Sequence, residues 1–264
     1  MVEKRNWFDQ GGQSYAQFRP AYPEALAAFF AAAAPATGLA VDVGCGNGQL
    51  TTLLARHFAQ VVGVDSSADQ IAHAKPASGV AYAVARAEKL PLADGVASAV
   101  TAAQAAHWFD LPTFYAEVRR IARPGAVVAL ISYGVLVLEG ALGARFQRFY
   151  SAEIGPFWPP ERKLVDNGYA GIDFPFAECP PPELAIVQSW NLGQFLGYVG
   201  TWSAVKKVRQ LGQEARLAVF ADDVAALWGD PSGQRRVAWP LHMRLGQVEG
   251  KKPSSPLVAS ASSS

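Results

Sequence analysis

Short β-branched runs alternate with amphipathic stretches through the first half of the chain. Helical patterns lie between these runs at 49–57, 68–75 and 111–122. Regular alternation of this kind is typical of a parallel sheet covered by helices. A ligand of such a sheet is expected at the carboxyl ends of its strands. The five runs that predict strands are 39–43 (LAVDV), 61–65 (VVGVD), 80–84 (VAYAV), 96–103 (VASAVTAA) and 126–132 (AVVALIS).

The pattern changes after residue 132. The following region is richer in Trp and Pro, and its helical patches fall at 141–150, 191–199 and 213–227. We interpret it as an insertion before the sheet is completed, and not as a separate domain. The predicted segments are an N-terminal capping segment and helix at 1–36, a ligand-binding core at 37–134, a variable lid or substrate region at 135–235, a final strand at 236–249 and a disordered low-complexity tail at 250–264.

The composition narrows the class of protein. Hydrophobic residues make up 50% and charged residues 17%, which excludes global disorder. Lys and Arg number 23 against 22 for Asp and Glu, so the formal charge of +1 offers no basic field for nucleic acid. Cys45, Cys179 and the four histidines show no metal-ligand spacing. We therefore expect no metal site, no disulfide scaffold and no nucleic-acid partner.

Two apolar stretches bear on location. The longest, 126–138, is shorter than the roughly 20 residues that a membrane-spanning helix needs. The segment ALAAFFAAAAPA at 25–36 resembles the core of a signal peptide, although Glu3 and Asp9 precede it. It fits an Ala-rich amphipathic helix equally well. We expect a cytoplasmic protein without a membrane segment.

The most informative segment is VDVGCGNGQLT at 41–51. A strand leads directly into Gly44-x-Gly46-x-Gly48 and then a helix, so the glycines stand where a ligand meets backbone. Asp65 ends the next strand, where a carboxylate can accept hydrogen bonds from ribose hydroxyls. Enzymes that bind dinucleotides share both features, but they usually have the spacing G-x-G-x-x-G. The spacing here therefore favours another nucleoside cofactor.

Four segments together resemble the successive motifs of class I S-adenosylmethionine-dependent methyltransferases. They are VDVGCGNGQLT, VVGVDSS, ARAEKLPLADGVASAVTAAQAAHWF and RRIARPGAVVALISYG. YAQFRPAYP at 15–23 and RRVAWPLHMRLG near the end resemble the branch with trans-aconitate-type small-molecule methyltransferases. The resemblance covers about residues 7–248. It implies S-adenosylmethionine as cofactor and a Rossmann-like, doubly wound α/β fold with a mostly parallel seven-stranded sheet and a helical lid insertion before the last strands.

The same resemblance implies roles for residues around the methionine and ribose of the cofactor. The three glycines of the loop would line this part, and Asp42 would meet the ammonium group. Asp65 would hold the ribose hydroxyls. Gln104, at the end of the fourth strand, would face the sulfonium.

Further residues are implied at the two ends of the cofactor site. Ser66, Ala87 and Glu88 would contact the adenine, whose exocyclic amine a carboxylate can bind. Tyr15 and Arg19 would form a lid over the cofactor. Arg19 is also a natural partner for a carboxylate of the cofactor or of a substrate.

Methyl transfer from a sulfonium needs alignment and exclusion of water more than acid–base chemistry. A carboxylate acceptor needs no base, whereas a phenol or an amine can need one. His107 is the candidate base or acceptor-orienting group, and a histidine that only hydrogen-bonds locally is the commoner alternative. Trp108 and Phe109 either floor the acceptor pocket or belong to the core. Cys45, inside the glycine loop, is interpreted as a buried small hydrophobe.

Three interpretations of function remain. The favoured one is a methyltransferase for a small organic acceptor, with a carboxylic acid as the first choice and a monomer or homodimer as the assembly. The alternatives are an NAD(P)-dependent oxidoreductase and a non-catalytic cofactor-binding module. In the variable region, Trp158, Trp190 and Trp202 either form an aromatic acceptor pocket or pin the helices to the body, and packing is the simpler interpretation.

Overall fold

The computed structural model describes residues 21–160 and 162–249, where eight strands and nine α-helices alternate. Tyr15, Arg19 and the segment 250–264 lie outside the described residues. The strands are β1 (Leu39–Val43), β2 (Gln60–Asp65), β3 (Val80–Val84), β4 (Ala97–Ala103), β5 (Ala122–Tyr133), β6 (Ala177–Glu178), β7 (Ala185–Trp190) and β8 (Arg235–Gln247). The helices are α1 (Glu24–Ala33), α2 (Gln49–Leu54), α3 (Ala68–Ala72), α4 (Leu111–Ile121), α5 (Gly140–Arg148), α6 (Arg162–Asp166), α7 (Leu192–Gly200), α8 (Ser203–Gln210) and α9 (Ala215–Trp228).

The strands form one mixed sheet in the order β3-β2-β1-β4-β5-β8-β6. The first five are parallel, and β8 runs antiparallel to β5. Strand β8 is long enough to serve two partners, because its second half pairs with β5 and its first half with β7. The order reverses between β1 and β4, which is where a doubly wound sheet opens a crevice for ligands.

Alternation along the central strands sends side chains to two apolar layers. On β5, Val127, Ala129 and Ile131 belong to one cluster, while Val128 and Leu130 belong to the other. This is the period of two that a strand imposes when both of its faces are covered.

Helix α4 shows how local sequence sets an element. Pro112 stands in its first turn, where the missing N–H is not needed, and Asp110 precedes the helix. Phe114, Tyr115, Val118 and Ile121 are buried, a helical spacing that places one face on the sheet.

Helices α5, α7, α8 and α9 share the core of one sheet face, whereas Val165 of α6 belongs to the cluster on the other face. Phe146, Phe195 and Phe220, from α5, α7 and α9, belong to the same buried cluster as Leu26 of α1 and Ile131 of β5. The Phe149 and Phe220 rings are stacked, with centroids 3.7 Å apart. These four helices therefore pack onto the sheet through a continuous apolar layer.

The predicted fold class is confirmed, and the sheet gains an eighth strand. The five parallel strands lie where the pattern predicts them, with ends that shift by a few residues, and the last strand spans 235–247. The pattern did not predict β6, β7, α6 or α8. Strand β7 buries only Ile186 and Trp190, so its apolar signal is weak.

Two further features concern membranes and metals. Within residues 21–160 and 162–249, no helix has both the length and the apolar character to span a bilayer. In the same part of the chain, no three His, Cys, Asp or Glu side chains converge as a metal site would require.

We predict that Phe220→Ala lowers the free energy of unfolding by about 3–5 kcal/mol, because it empties a buried ring position in the shared core. Val219→Ala, at the neighbouring exposed position, is the matched control and should change it by less than about 0.5 kcal/mol. Urea unfolding should be followed by far-ultraviolet circular dichroism and by tryptophan fluorescence. Coincident transitions support one folding unit, whereas two separated transitions would mean that region 135–235 unfolds as its own domain.

Candidate functional site

A cavity of about 510 Å³ opens at the carboxyl ends of β1, β2 and β4. It lies at the point where the strand order reverses. Eight of the residues predicted to bind the cofactor line it, and these are Asp42, Gly44, Gly46, Asp65, Ser66, Ala87, Glu88 and Gln104. Tyr22, Gln49 and Gln70 line it as well and were not predicted, because nothing in their local sequence distinguishes them.

The glycine loop turns tightly at the cavity wall. Gly44 adopts a positive φ of 70°, and a Cβ at this position would collide with the Cβ of Ala105. The Gly44 N–H donates to the carbonyl of Val64 at 2.7 Å, which binds the loop to β2. Only glycine combines this positive φ with the absence of a Cβ.

Gly48 has a different environment from the other two glycines. It does not line the cavity, and the hydroxyl of Tyr82 occupies the space that a Cβ would need. Gly48 is the residue immediately before helix α2, and it adopts a positive φ of 85° there. The local geometry of Gly48 is thus explained by packing and by the helix start.

Asp65 organises the loop from the end of β2. One carboxylate oxygen accepts from the Gly46 N–H at 2.8 Å, and the other accepts from the Ser67 N–H at 2.9 Å. Each carboxylate oxygen has a second lone-pair direction. Asp65 can therefore fix the loop and still accept hydrogen bonds from a ligand in the cavity.

Asp42 is buried beneath the loop. Its two oxygens accept from the hydroxyl of Thr51 on α2 at 2.7 Å and from that of Thr101 on β4 at 3.0 Å. Burial disfavours the charged form more than these hydrogen bonds favour it, which raises the pKa of Asp42 to about 6. A cation beside this side chain would stabilise its ionised form.

Glu88 lines the cavity from the loop that follows β3. It accepts from the Asp110 N–H at 2.9 Å and from the Arg86 guanidinium at 3.2 Å. Burial alone would raise the pKa of Glu88, but the backbone N–H groups of Asp110 and Glu88 and the Arg86 side chain outweigh it and lower the pKa. The carboxylate is therefore ionised at neutral pH and able to accept from an amine.

Gln104 occupies the left-handed region with φ 56°, which is uncommon for a residue other than glycine. Its side-chain amide donates to the carbonyl of Tyr133 at 2.7 Å, and its backbone N–H donates to Ile131 at 2.8 Å. These bonds hold Gln104 between β4 and β5. Strained backbone of this kind is often found at binding sites.

His107 lies in a short 3₁₀ helix, Ala106–Trp108, after β4. Its Nδ1 is 2.9 Å from the hydroxyl of Tyr169, a buried side chain from beyond α6. His107 is not among the residues that line the cavity, whereas its neighbours Trp108 and Phe109 are. Trp108 is 72% exposed, so it forms part of the rim.

The tryptophans predicted for the variable region fall into two groups. Trp190 packs against Tyr198 and Trp239, with ring centroids 5.2 and 5.1 Å away. Trp158 and Trp202 contact each other, with centroids 5.5 Å apart. Cys45 and Cys179 are free thiols, and burial raises the pKa of Cys45 far above its usual value, as expected for an inert side chain.

Comparison with known proteins identifies similar chains. Residues 41–130 match a family model described as a methyltransferase domain. A Dictyostelium discoideum protein, whose name describes it as a methyltransferase, is 30% identical over 249 residues, which span 92% of this chain and 95% of that protein. A solved structure from Anaeromyxobacter dehalogenans, described as a type II methyltransferase, is 43% identical with a TM-score of 0.84, and the match covers 88% of this chain and 99% of that one.

A third relative is similar over a shorter stretch. A malonyl-[acyl-carrier protein] O-methyltransferase from Pectobacterium atrosepticum is 35% identical over 96 residues. The match covers 35% of this chain and 38% of that protein.

We predict that Asp42→Asn changes how stability depends on pH. An acid whose pKa is raised by folding keeps its proton longer in the folded state, so the free energy of unfolding of the wild type falls as pH rises from about 4 to about 6. The amide does not titrate. The stability of the variant minus that of the wild type should therefore increase by about 2–3 kcal/mol between pH 4 and pH 7, measured by urea unfolding without ligand. A difference that stays constant with pH would contradict the raised pKa.

Proposed function

This chain belongs to the class I S-adenosylmethionine-dependent methyltransferases, and we propose that its acceptor is the carboxylate of a small organic acid. The observation that carries the proposal is the wall of the cavity at the end of β4. It consists of Ala103, Gln104 and Ala105, none of which can take a proton. A carboxylate is the acceptor that needs no base at neutral pH.

The described residues suit S-adenosylmethionine. The cavity volume of about 510 Å³ lies within the range of small-molecule sites, roughly 300–1,000 Å³. Gly44 lines the cavity and carries no side chain, so a ligand can approach its backbone closely. The carboxylates of Asp42, Asp65 and Glu88 line the same cavity, as a ligand with an ammonium, ribose hydroxyls and an exocyclic amine requires.

We assign the cofactor contacts as follows. Asp42 stands beneath the methionine end and supplies negative charge for the ammonium. Asp65 accepts from the ribose hydroxyls with the lone pairs that its loop contacts leave unused. Ser66, Ala87 and Glu88 surround the adenine.

The bound cofactor supplies a methyl group already activated by its sulfonium. The residues of the chain then have to hold the acceptor in line with that methyl group and keep water away, which can account for most of the rate enhancement. Gln104 is suited to fix the acceptor side, because its backbone and amide are held against β5. Trp108 at the rim is suited to exclude water.

A name among the relatives adds support for an oxygen acceptor. The malonyl-[acyl-carrier protein] enzyme of Pectobacterium is described as an O-methyltransferase. Its similarity is confined to about a third of this chain, so it bears on the type of acceptor atom and not on the acceptor molecule.

We predict that Asp65→Ala weakens binding of S-adenosylhomocysteine by about 1–3 kcal/mol, measured by isothermal titration calorimetry, because it removes hydrogen bonds to a charged acceptor. Asp69→Ala is the control, since Asp69 is exposed and does not line the cavity. A ribose-deoxygenated analogue separates direct from indirect effects: the wild type should lose affinity for it, and the variant should lose little more. Equal losses in both proteins would mean that Asp65 acts only through the loop.

A labelled-methyl transfer assay tests the acceptor. The panel contains carboxylic acids, phenols and amines with matched apolar bodies, and the product is then treated with base. We predict label on the acids and its release as methanol, because methyl esters hydrolyse in base while ethers and N-methyl products do not. His107→Gln should keep most of the rate, because a carboxylate needs no base.

Two outcomes would contradict this proposal. Base-stable label on phenols or amines, with none on acids, would exclude carboxyl methylation and leave the methyltransferase class unaffected. A loss of about a hundredfold or more in His107→Gln, the scale for a general base, would indicate an acceptor that must lose a proton.

A further inference from the structure

Two aromatic rings flank one guanidinium in the helical region, and a third ring packs on both of them. The guanidinium carbon of Arg162, on α6, lies 5.1 Å from the ring centroid of Trp158 and 6.0 Å from that of Tyr150. The Trp202 ring contacts both of these rings, with centroids 5.5 and 5.6 Å away. We call Tyr150, Trp158 and Trp202 the aromatic cluster.

The hydrogen bonds of Arg162 use only part of its donor set. Its Nε donates to Asp166 at 2.8 Å and is 3.1 Å from the Tyr150 hydroxyl. Its two terminal nitrogens, Nη1 and Nη2, donate to no residue that the structure describes. Each of them can donate a charge-assisted hydrogen bond to one carboxylate oxygen and leave the other oxygen free.

A second hydrogen-bond donor, on the Trp158 ring against which the guanidinium lies, is also unused. The indole Nε1 of Trp158 is buried and has no hydrogen-bond acceptor among residues 21–160 and 162–249. A buried donor without a partner costs free energy, and native structures rarely retain one unless another group completes it. The Arg162 terminal nitrogens and the Trp158 indole N–H all require an acceptor atom, so together they favour binding of an anion over a cation.

The aromatic cluster is connected to the cofactor cavity through further tyrosines. Trp202 packs on Tyr198, with ring centroids 5.6 Å apart. Burial raises the pKa of Tyr198, the Tyr133 hydroxyl adds to this effect, and the positive charge of Arg162 opposes it, so both groups act electrostatically on Tyr198. Tyr133 in turn contacts Tyr22, a residue of the cavity wall, and its carbonyl accepts from Gln104.

We propose that Arg162 and the indole N–H of Trp158 form an anion-binding subsite that holds the carboxylate of the acceptor within the aromatic cluster. This rests on the proposed function, which supplies an acid as acceptor. The rings cover the apolar body of the acid, and the donors hold its charge. Arg162 is then a positioning residue, because an oxygen that accepts from a guanidinium is a weaker nucleophile and another oxygen must face the methyl group.

Asp166 holds the Arg162 guanidinium in place. Its Oδ1 accepts from the Nε of Arg162 at 2.8 Å and from the Tyr150 hydroxyl at 2.9 Å. The guanidinium plane is therefore fixed before any ligand binds. The negative charge of Asp166 also compensates the buried cation while the subsite is empty of ligand. A preorganised cation of this kind loses little conformational entropy on binding.

Binding and turnover of Arg162 variants test the subsite. The wild type, saturated with S-adenosylhomocysteine, should bind phenylacetate and not phenylacetamide, read from tryptophan fluorescence. In Arg162→Gln the dissociation constant for phenylacetate should rise by about tenfold or more, as loss of a charged pair predicts, and Arg162→Lys should restore part of it. With the best acid from the transfer assay, KM should rise by a similar factor, while kcat stays within about threefold.

The matched control is Arg148→Gln. Arg148 lies in the same region, is exposed, and pairs with Glu153 at 3.3 Å. Its substitution therefore removes the same charge as Arg162→Gln without changing the aromatic cluster. It should leave acid binding unchanged. Trp158→Phe keeps the ring and removes the N–H, and it should raise the dissociation constant by about threefold to tenfold.

The outcomes separate this proposal from the one it rests on. Acid binding that is lost in Arg162→Gln, without any methyl ester from the wild type, would support the subsite and overturn carboxyl methylation. Methyl esters formed with an unchanged KM in Arg162→Gln would overturn the subsite and support carboxyl methylation. A weaker affinity for S-adenosylhomocysteine together with a lower melting temperature in Arg162→Gln would show a structural role and also overturn the subsite.

Discussion

The floor of the cavity depends on one buried carboxylate. Asp42 accepts hydroxyl hydrogen bonds from Thr51 on α2 and Thr101 on β4, so it joins three elements beneath the glycine loop. Burying a charge costs free energy unless hydrogen bonds or a counter-charge offset the lost hydration. Two hydroxyl groups offset only part of it, and the pKa therefore rises to about 6. The site is built around a carboxylate that a cationic ligand would stabilise, which couples ligand binding to the stability of the floor.

Two more connections extend from this floor to the remainder of the site. Asp65 holds the glycine loop through the N–H groups of Gly46 and Ser67. Gln104 joins the end of β4 to the Tyr133 carbonyl of β5. From Tyr133, aromatic contacts continue through Tyr22 to the cavity wall. In the proposed assignment, backbone hydrogen bonds fix the nucleoside half of the site, while side chains of the helical region form the acceptor half.

The parts of the fold that the pattern predicts are those where burial is continuous. The strand at 39–43 is buried over four of its five residues, and β4 is buried almost throughout, so their apolar runs are unambiguous. Strand β7 alternates weakly and exposes Val187, and its pairing with β8 comes from a partner about fifty residues away. No local pattern indicates such a partner. Tyr22 and Gln70 reach the cavity for the same kind of reason, because distant segments bring them there.

The sequence by itself determined the order of the five parallel strands and the helices between them, the glycine loop and the acid that ends β2, because backbone conformation and alternate burial impose residue types at short, regular spacings. It also identified eight of the residues that line the cavity. Only the tertiary structure decided that Asp42 is buried between two threonines, that His107 meets Tyr169 outside the cavity wall, and that Arg162 lies against the rings of Tyr150 and Trp158. The hydrogen bonds among these contacts join residues that are 9 to 62 positions apart in the sequence. Packing, and not local sequence, brings such side chains together, since it depends on the shapes of all the elements at once.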